Sequence, residues 1–224
     1  MTTLATLEAT ICSALGHDIS FSGEPLGDPI PLPFATETDM LGNVSLRRRR
    51  EFAWGRHHAR EALRQLGVAP VPILSRADGA PLWPSGVVGS ISHSCCDCGA
   101  VAGRVDNVLA LGLDIEDDEP LGADLLPIIC TPTETERAEW SSSRFGPKLI
   151  FVIKEAVYKA YAPSTGAFLD FQDVCVRIEH ESGSFEAEIV NSDKPMSFGS
   201  RIIKGIYLPF RMGMMAVAAA FREA

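Results

Sequence analysis

Asp114 and Glu116 stand two residues apart in the stretch Gly112-Leu113-Asp114-Ile115-Glu116, near the middle of a 224-residue chain. An apolar run leads into them, so the stretch reads as the end of a strand. Alternate side chains on a strand share one face, which points both carboxylates the same way and Ile115 into the core. Two carboxylates held that close raise each other's pKa unless a cation sits between them. A hard divalent cation such as Mg²⁺ meets that need and keeps positions open for phosphate oxygens. The same pattern also fits a strand running into an acidic turn, because Asp117, Asp118 and Glu119 follow at once.

Three further stretches bear on that choice. Lys154-Glu155-Ala156-Val157-Tyr158-Lys159 falls in a helix predicted from Pro147 to Tyr161 and ended by Pro163 and Gly166. Glu155 and Lys159 are four apart and share a face of it. Phe151, Val152 and Ile153 precede them, so the helix is apolar nearly all round and its charges need partners. A buried Glu is tolerable as a metal ligand, and a buried Lys is tolerable against phosphate. Gly89-Ser90-Ile91-Ser92-His93-Ser94 places hydroxyls and an imidazole at a strand end, a combination that can hold phosphate. A lone His is more often satisfied by a neighbour, and no G-x-S-x-G elbow marks a hydrolase. Arg47, Arg48, Arg49, Arg50, Arg56 and Arg60 crowd the start of a helix predicted from Leu46 to Leu66. Cations oppose the dipole there. They form either a solvated basic face or a convergent set of bidentate phosphate ligands.

The remaining chain supplies the frame. Leu4, Leu7, Ile11 and Leu15 recur at helical spacing, and Gly16 closes the pattern. Residues 21–43 are rich in Pro, Gly and acids and read as a long irregular connection. Ile73-Leu74 and Val87 to His93 read as short strands around a turn-rich segment, Ala77 to Pro84. Ala100 to Arg104 and Val108 to Asp114 read as a hairpin about Asp106-Asn107, followed by a loop and helical region from Leu121 to Trp140. Strands over Val174 to Ile178, Phe185 to Val190, Ile202 to Leu208 and Met212 to Ala220 read as an antiparallel sheet. Helix followed by strands occurs twice, so the expected class is α+β. Two similar subdomains, residues 1–112 and 113–224, would meet near Gly112.

Composition narrows the function classes. A formal net charge of −9 argues against a general nucleic-acid binder. No Lys or Arg precedes Arg47, so the basic start of a signal peptide is missing, and Met212 to Phe221 is too short to span a bilayer. A cytoplasmic enzyme or binding protein is expected, with no membrane association. The six cysteines are expected to be reduced thiols. Cys95-Cys96-Asp97-Cys98 suggests zinc only weakly, since no second pair follows at metal spacing.

Taken together, Gly-Ser-Ile-Ser-His at 89–93, Gly-Leu-Asp-Ile-Glu at 112–116 and Phe151 to Lys159 resemble the 4′-phosphopantetheinyl transferases, with their G-x-D-x-E and F-x-x-K-E-[AS]-x-x-K motifs. Arg48-Arg49-Arg50-Glu51-Phe52-Ala53-Trp54-Gly55-Arg56 and Trp83-Pro84 look like the subgroup typified by enterobactin-synthase and mycobacterial-type enzymes. The resemblance implies two α/β halves related by a pseudo-twofold with coenzyme A in the cleft between them. It implies transfer of phosphopantetheine from coenzyme A to a serine of an apo acyl or peptidyl carrier protein, releasing adenosine 3′,5′-bisphosphate. By that resemblance Asp114, Glu116 and Glu155 would hold Mg²⁺, Lys154 and Lys159 would neutralise phosphoryl charge, and Glu155 would be the candidate base. Ser92, His93, Arg48 and Arg56 would hold coenzyme A phosphates.

Many relatives carry a Lys beside Gly79; here the segment reads Asp78-Gly79-Ala80-Pro81, with Arg76 as the candidate substitute. Arg144, Lys148 and Leu121 to Ile129 are candidates for carrier docking, and the chain is expected to be a monomer. The alternative is a coenzyme A-binding protein of the same fold without the chemistry. Retention of the charged set speaks for the enzyme.

Overall fold

The computed structural model describes residues 4–16 and 18–222, without the side chains of Leu4 and Ala5. The expectation that Leu4 joins the first apolar stripe therefore lies outside the described side chains. Helix α1 (Leu4–Leu15) precedes strand β1 (Ile19–Pro25), the short α2 (Ala35–Thr38) and the long α3 (Leu46–Gln65). Strands β2 (Leu74–Ser75), β3 (Pro81–Leu82), β4 (Val87–His93), β5 (Asp97–Arg104) and β6 (Val108–Asp117) follow. Two short helices, α4 (Leu126–Ile129) and α5 (Pro132–Arg137), lead to α6 (Lys148–Thr165). The chain ends in β7 (Val174–Glu179), β8 (Ser184–Ile189), β9 (Ile202–Phe210) and β10 (Gly213–Phe221).

Three strands form one sheet in the order β1-β5-β4, and five form a second in the order β6-β10-β9-β8-β7, with β2 and β3 as a separate ribbon. The pairings of both main sheets are antiparallel throughout. Helix α3 packs on the first sheet and α6 on the second. This is the α+β class with two sheets.

The expected hairpin of residues 100–104 with 108–114 does not form. Both segments are strands, but both edges of β5 are taken by β1 and β4, and β6 pairs instead with β10, about a hundred residues further on. The irregular connection expected from residue 21 begins later. Ile19 and Phe21 are fully buried in β1, a strand hidden in the sequence by the prolines and glycines that follow it. Helix α6 also outruns its predicted end: Pro163 sits in its last turn, and Gly166 closes it with a positive φ of 69°. The division expected between residues 112 and 113 falls within β6.

The two faces of β6 explain its central place. Leu113 and Ile115 enter a core shared with α1, β1 and the opposite face of β10, so Ile115 is the core residue that the alternation predicts. Gly112, Asp114 and Glu116 point to the other side, toward α6. On that side β10 places Ala216 opposite Asp114 and Ala218 opposite Gly112, both in the core beneath α6. Small residues there let the helix come close.

Candidate active site

Gly112 sets how close. A Cβ at this position would lie 1.8 Å from the carbonyl oxygen of Ala156 and 2.6 Å from the amide nitrogen of Ala160. The helix backbone therefore rests directly on the strand, and only glycine allows it. Ala156 and Ala160 are neighbours of Glu155 and Lys159, so this contact fixes those charged residues beside Asp114.

Lys159 Nζ donates to Asp114 Oδ1 at 2.6 Å and to Ser92 Oγ at 3.0 Å. Ser92 Oγ in turn donates to Asp114 Oδ1 at 3.1 Å and accepts the Ile115 amide at 3.2 Å. Strand β4, β6 and α6 are thus joined through one buried hydroxyl. Asp114 is only 3% exposed, yet its other oxygen, Oδ2, is buried without a hydrogen-bond partner. An unpartnered buried carboxylate oxygen is costly and calls for a cation or donor. Burial pushes the Glu155 carboxyl above its ordinary range, and the charges of Asp114 and Glu116 push it the same way against Lys159. Burial and Asp114 likewise raise Glu116, although Lys148 Nζ stands 3.2 Å from its Oε2.

These donors are all hard oxygens, and with the orphaned Asp114 Oδ2 they fit a hard divalent cation. Among the described residues, the trio is not one of the groups whose donor atoms all lie within 4.8 Å of each other. Lys159 takes Asp114 and Lys148 takes Glu116 instead.

An anion-binding edge adjoins the carboxylates. Arg48 NH1 lies 3.3 Å from His93 Nε2, and since guanidinium can only donate, that nitrogen accepts. Burial lowers the His93 pKa against the opposing charge of Glu51, with Arg48 and Lys159 adding to the lowering. Glu51 is the hub of this edge. Its Oε1 accepts Arg47 Nε at 2.8 Å, and its Oε2 lies 3.5 Å from Arg48 NH1 and 3.6 Å from His93 Nε2. Burial pushes Glu51 up, but the Arg47 hydrogen bond and the nearby cations outweigh it and hold the carboxyl below its usual range.

Beyond Lys159 opens a cavity of about 460 Å³, walled by the β2–β3 ribbon, β4 and the last turns of α6. Arg76, Gly79, Pro81, Trp83, Tyr158 and Pro163 line it. Arg76 NH1 donates to the Pro163 carbonyl at 3.1 Å, so it bridges ribbon and helix across the mouth.

Comparison with known proteins gives the family. Residues 37–103 match the 4′-phosphopantetheinyl transferase N-terminal domain, and residues 110–205 match the 4′-phosphopantetheinyl transferase superfamily domain. The chain belongs to the 4′-phosphopantetheinyl transferase superfamily. It is 36% identical over 194 residues to the 4′-phosphopantetheinyl transferase PptT of Mycobacterium tuberculosis, covering 84% of this chain and 85% of that protein. It is 36% identical over 167 residues to the transferase Svp of Streptomyces mobaraensis, covering 73% and 68%. Identity to enterobactin synthase component D of Escherichia coli is 36% over 137 residues, covering 59% of this chain and 64% of that protein. The enzyme is a 4′-phosphopantetheinyl transferase.

The fold brings Asp114, Glu116, Glu155, Lys159, Ser92, His93 and Arg48 near one another. Lys154 is not among them. Its Nζ is buried on the far side of α6, donating to Glu134 Oε2, Ile129 O and Phe171 O, each at 2.8 Å. Five residues along a helix turn the side chain through about 140°, so Lys154 and Lys159 cannot serve one site. Arg56 is also committed elsewhere. It is 6% exposed, donates to Ile73 O at 2.6 Å and Ser75 Oγ at 2.8 Å, and burial lowers its pKa to about 10. Lys148, expected on a docking surface, is buried and donates to the Asp117 carbonyl at 2.8 Å beside Glu116.

Sequence reading missed Glu51, Lys148 and Glu134 as partners of the site and its helix. Only Glu51 carried a signal, lying three and four residues after Arg48 and Arg47. Among the described residues, no helix is long and apolar enough to cross a membrane.

Proposed function

We propose that this transferase moves 4′-phosphopantetheine from coenzyme A to a serine hydroxyl of an apo carrier protein, with Asp114, Glu116 and Glu155 holding Mg²⁺. The observation that carries this reading is the buried Asp114, paired through Oδ1 with Lys159 and Ser92 while its Oδ2 has no partner. When bound, Mg²⁺ supplies positive charge beside the substrate pyrophosphate.

The chain's own residues do the rest. The serine oxygen bonds to the phosphorus that carries pantetheine, the anhydride P–O bond breaks, and adenosine 3′,5′-bisphosphate leaves with the electron pair. Lys159, already between Ser92 and Asp114, turns its remaining donor capacity to the oxygens that gain charge. His93 and the Arg48 guanidinium donate to phosphate oxygens at the edge of the site. Glu155, on the face of α6 that meets Asp114, is the candidate to take the serine proton. The cavity beside Gly79 and Pro81 suits the nucleotide end of coenzyme A, with Arg76 as its cation and Trp83 as an aromatic wall. The cleft then lies between two halves of the chain that part near β6.

Similarity to enterobactin synthase component D points to carriers of siderophore, non-ribosomal peptide or polyketide assembly. Leu125 and Ile128, 39% and 56% exposed, and the exposed Arg144 are candidates to meet them. With Mg²⁺ and coenzyme A, an apo carrier of this class is expected to gain the mass of one phosphopantetheine. No gain across a panel of peptidyl, aryl and acyl carriers would overturn the reading.

A further inference from the structure

The turn between β4 and β5 carries two thiols for which the transfer reaction has no use. Cys95 and Cys96 are both exposed, with their sulfurs 3.0 Å apart. Asp117, at the end of β6, turns its carboxylate toward them, and Oδ2 accepts the Cys95 amide at 3.1 Å. Both sulfurs and a carboxylate oxygen of Asp117 lie within 4.8 Å of one another. Cys98, two residues after Cys96, is fully buried and belongs to the core instead.

The turn is firmly built. Ser94 Oγ accepts the amides of Cys96 and Asp97 at 3.3 and 3.2 Å, Ser94 N donates to Asp97 O at 2.9 Å, and Leu26 N donates to Cys96 O at 2.7 Å. The Asp117 backbone is held in turn by Lys148. Two thiols on a turn and the carboxylate of Asp117, 22 residues after Cys95, are therefore presented together before any ligand arrives.

We propose that Cys95, Cys96 and Asp117 form a binding site for a soft divalent cation of the zinc and cadmium class, with the fourth position left to water. Two thiolates and one carboxylate make a donor set that such ions prefer and that Mg²⁺ does not compete for. On binding, the two thiols release two protons to solvent, and three negative ligands meet a charge of two. Zn–S bonds of about 2.3 Å in a tetrahedron separate two sulfurs by about 3.8 Å, so the pair must open slightly. Exposed cysteine side chains can do this by rotation about one bond. The site is separate from the oxygen trio, although it joins the residue after Glu116 to the turn after His93. Its occupation would tie together the ends of the two strands that carry the transferase site.

The test uses the reduced full chain, freed of metal and kept in excess Mg²⁺, titrated with Cd²⁺ alone. Thiolate-to-cadmium charge-transfer absorption is expected to rise to an end point at one equivalent. The double variant Cys95→Ser/Cys96→Ser is expected to lose this absorption, Asp117→Asn to bind at least about tenfold more weakly, and Cys175→Ala to behave as the parent. A second measurement needs no variant: Zn²⁺ should protect Cys95 and Cys96 from maleimide labelling, read by mass spectrometry of peptides. The proposal is overturned if the parent gives no end point, if the folded double serine variant keeps it, or if Zn²⁺ leaves both cysteines open to labelling.

Discussion

Of the lysine–carboxylate pairs on helix α6, Lys154–Glu134 and Lys159–Asp114 form the sharpest contrast. Lys154–Glu134, at 2.8 Å, has both side chains 1% exposed. Its ammonium meets three acceptors, and Glu134 also accepts the amides of Thr131 and Val176. Every polar atom there has a partner, and nothing remains to bind a substrate. Lys159–Asp114, at 2.6 Å, leaves the lysine 30% exposed on a cavity and one carboxylate oxygen unpartnered. The first pair is closed and belongs to folding. The second is open, and its incompleteness is what chemistry can use.

The strongest test breaks the open pair. Asp114→Ala is expected to lower carrier modification by about 10²–10³-fold or more, the scale for removing a preorganised charge-stabilising group, while circular dichroism and the unfolding midpoint stay near parental. Near-normal turnover would sever Asp114 from the reaction. Breaking the closed pair should give the reverse. Lys154→Met leaves Glu134 buried without its cation and should cost about 3–5 kcal/mol of stability, measured by urea unfolding, with kcat per folded molecule retained. Replacing both, Lys154→Met with Glu134→Leu, should recover much of that loss. If the single Lys154→Met variant is stable but inactive, the two pairs are not distinct in role.

Glu51→Gln probes the edge at smaller scale. With the carboxylate neutralised, Arg48 and His93 lose a common anchor, and KM for coenzyme A should rise several-fold while kcat changes little. A change confined to kcat would show that Glu51 acts on the chemical step instead. The smallest effect is a pH slope. Burial lowers the folded-state pKa of Lys154, against Glu134. Between that lowered value and the unfolded value of about 10.5, the unfolded chain binds more protons, so stability rises with pH there. This contribution is lost as pH falls through the folded pKa. The difference in unfolding free energy between the parent and the Lys154→Met/Glu134→Leu variant should therefore grow toward alkaline pH, and a flat difference would contradict the buried charge.

What could be read from the sequence follows the same division. Asp114, Glu116 and their shared face follow from strand alternation, and Glu155 with Lys159 from helical spacing. Those rules are local. Lys154 was misplaced because its partner Glu134 lies on another segment, and no spacing rule links residues 154 and 134. Nor could spacing within one segment pair β6 with β10 or leave β5 to β1 and β4. The strand at Ile19–Pro25 was obscured because its last residues already resemble the loop. Arg56 had the right type and region for phosphate, but its carbonyl partner at Ile73 appears only after the chain turns back.

Where α6 rests on Gly112, helix and strand have no side-chain layer between them to deform. Their contact is backbone to backbone. Asp114 and Glu155 therefore cannot draw together or separate by sliding of their backbones, and adjustment around a bound cation must come from side-chain rotation alone. Such adjustments need no domain closure of the kind by which many enzymes assemble their sites. For this transferase the slow steps of a turnover would then lie in the arrival and departure of its large substrates rather than in forming the catalytic geometry.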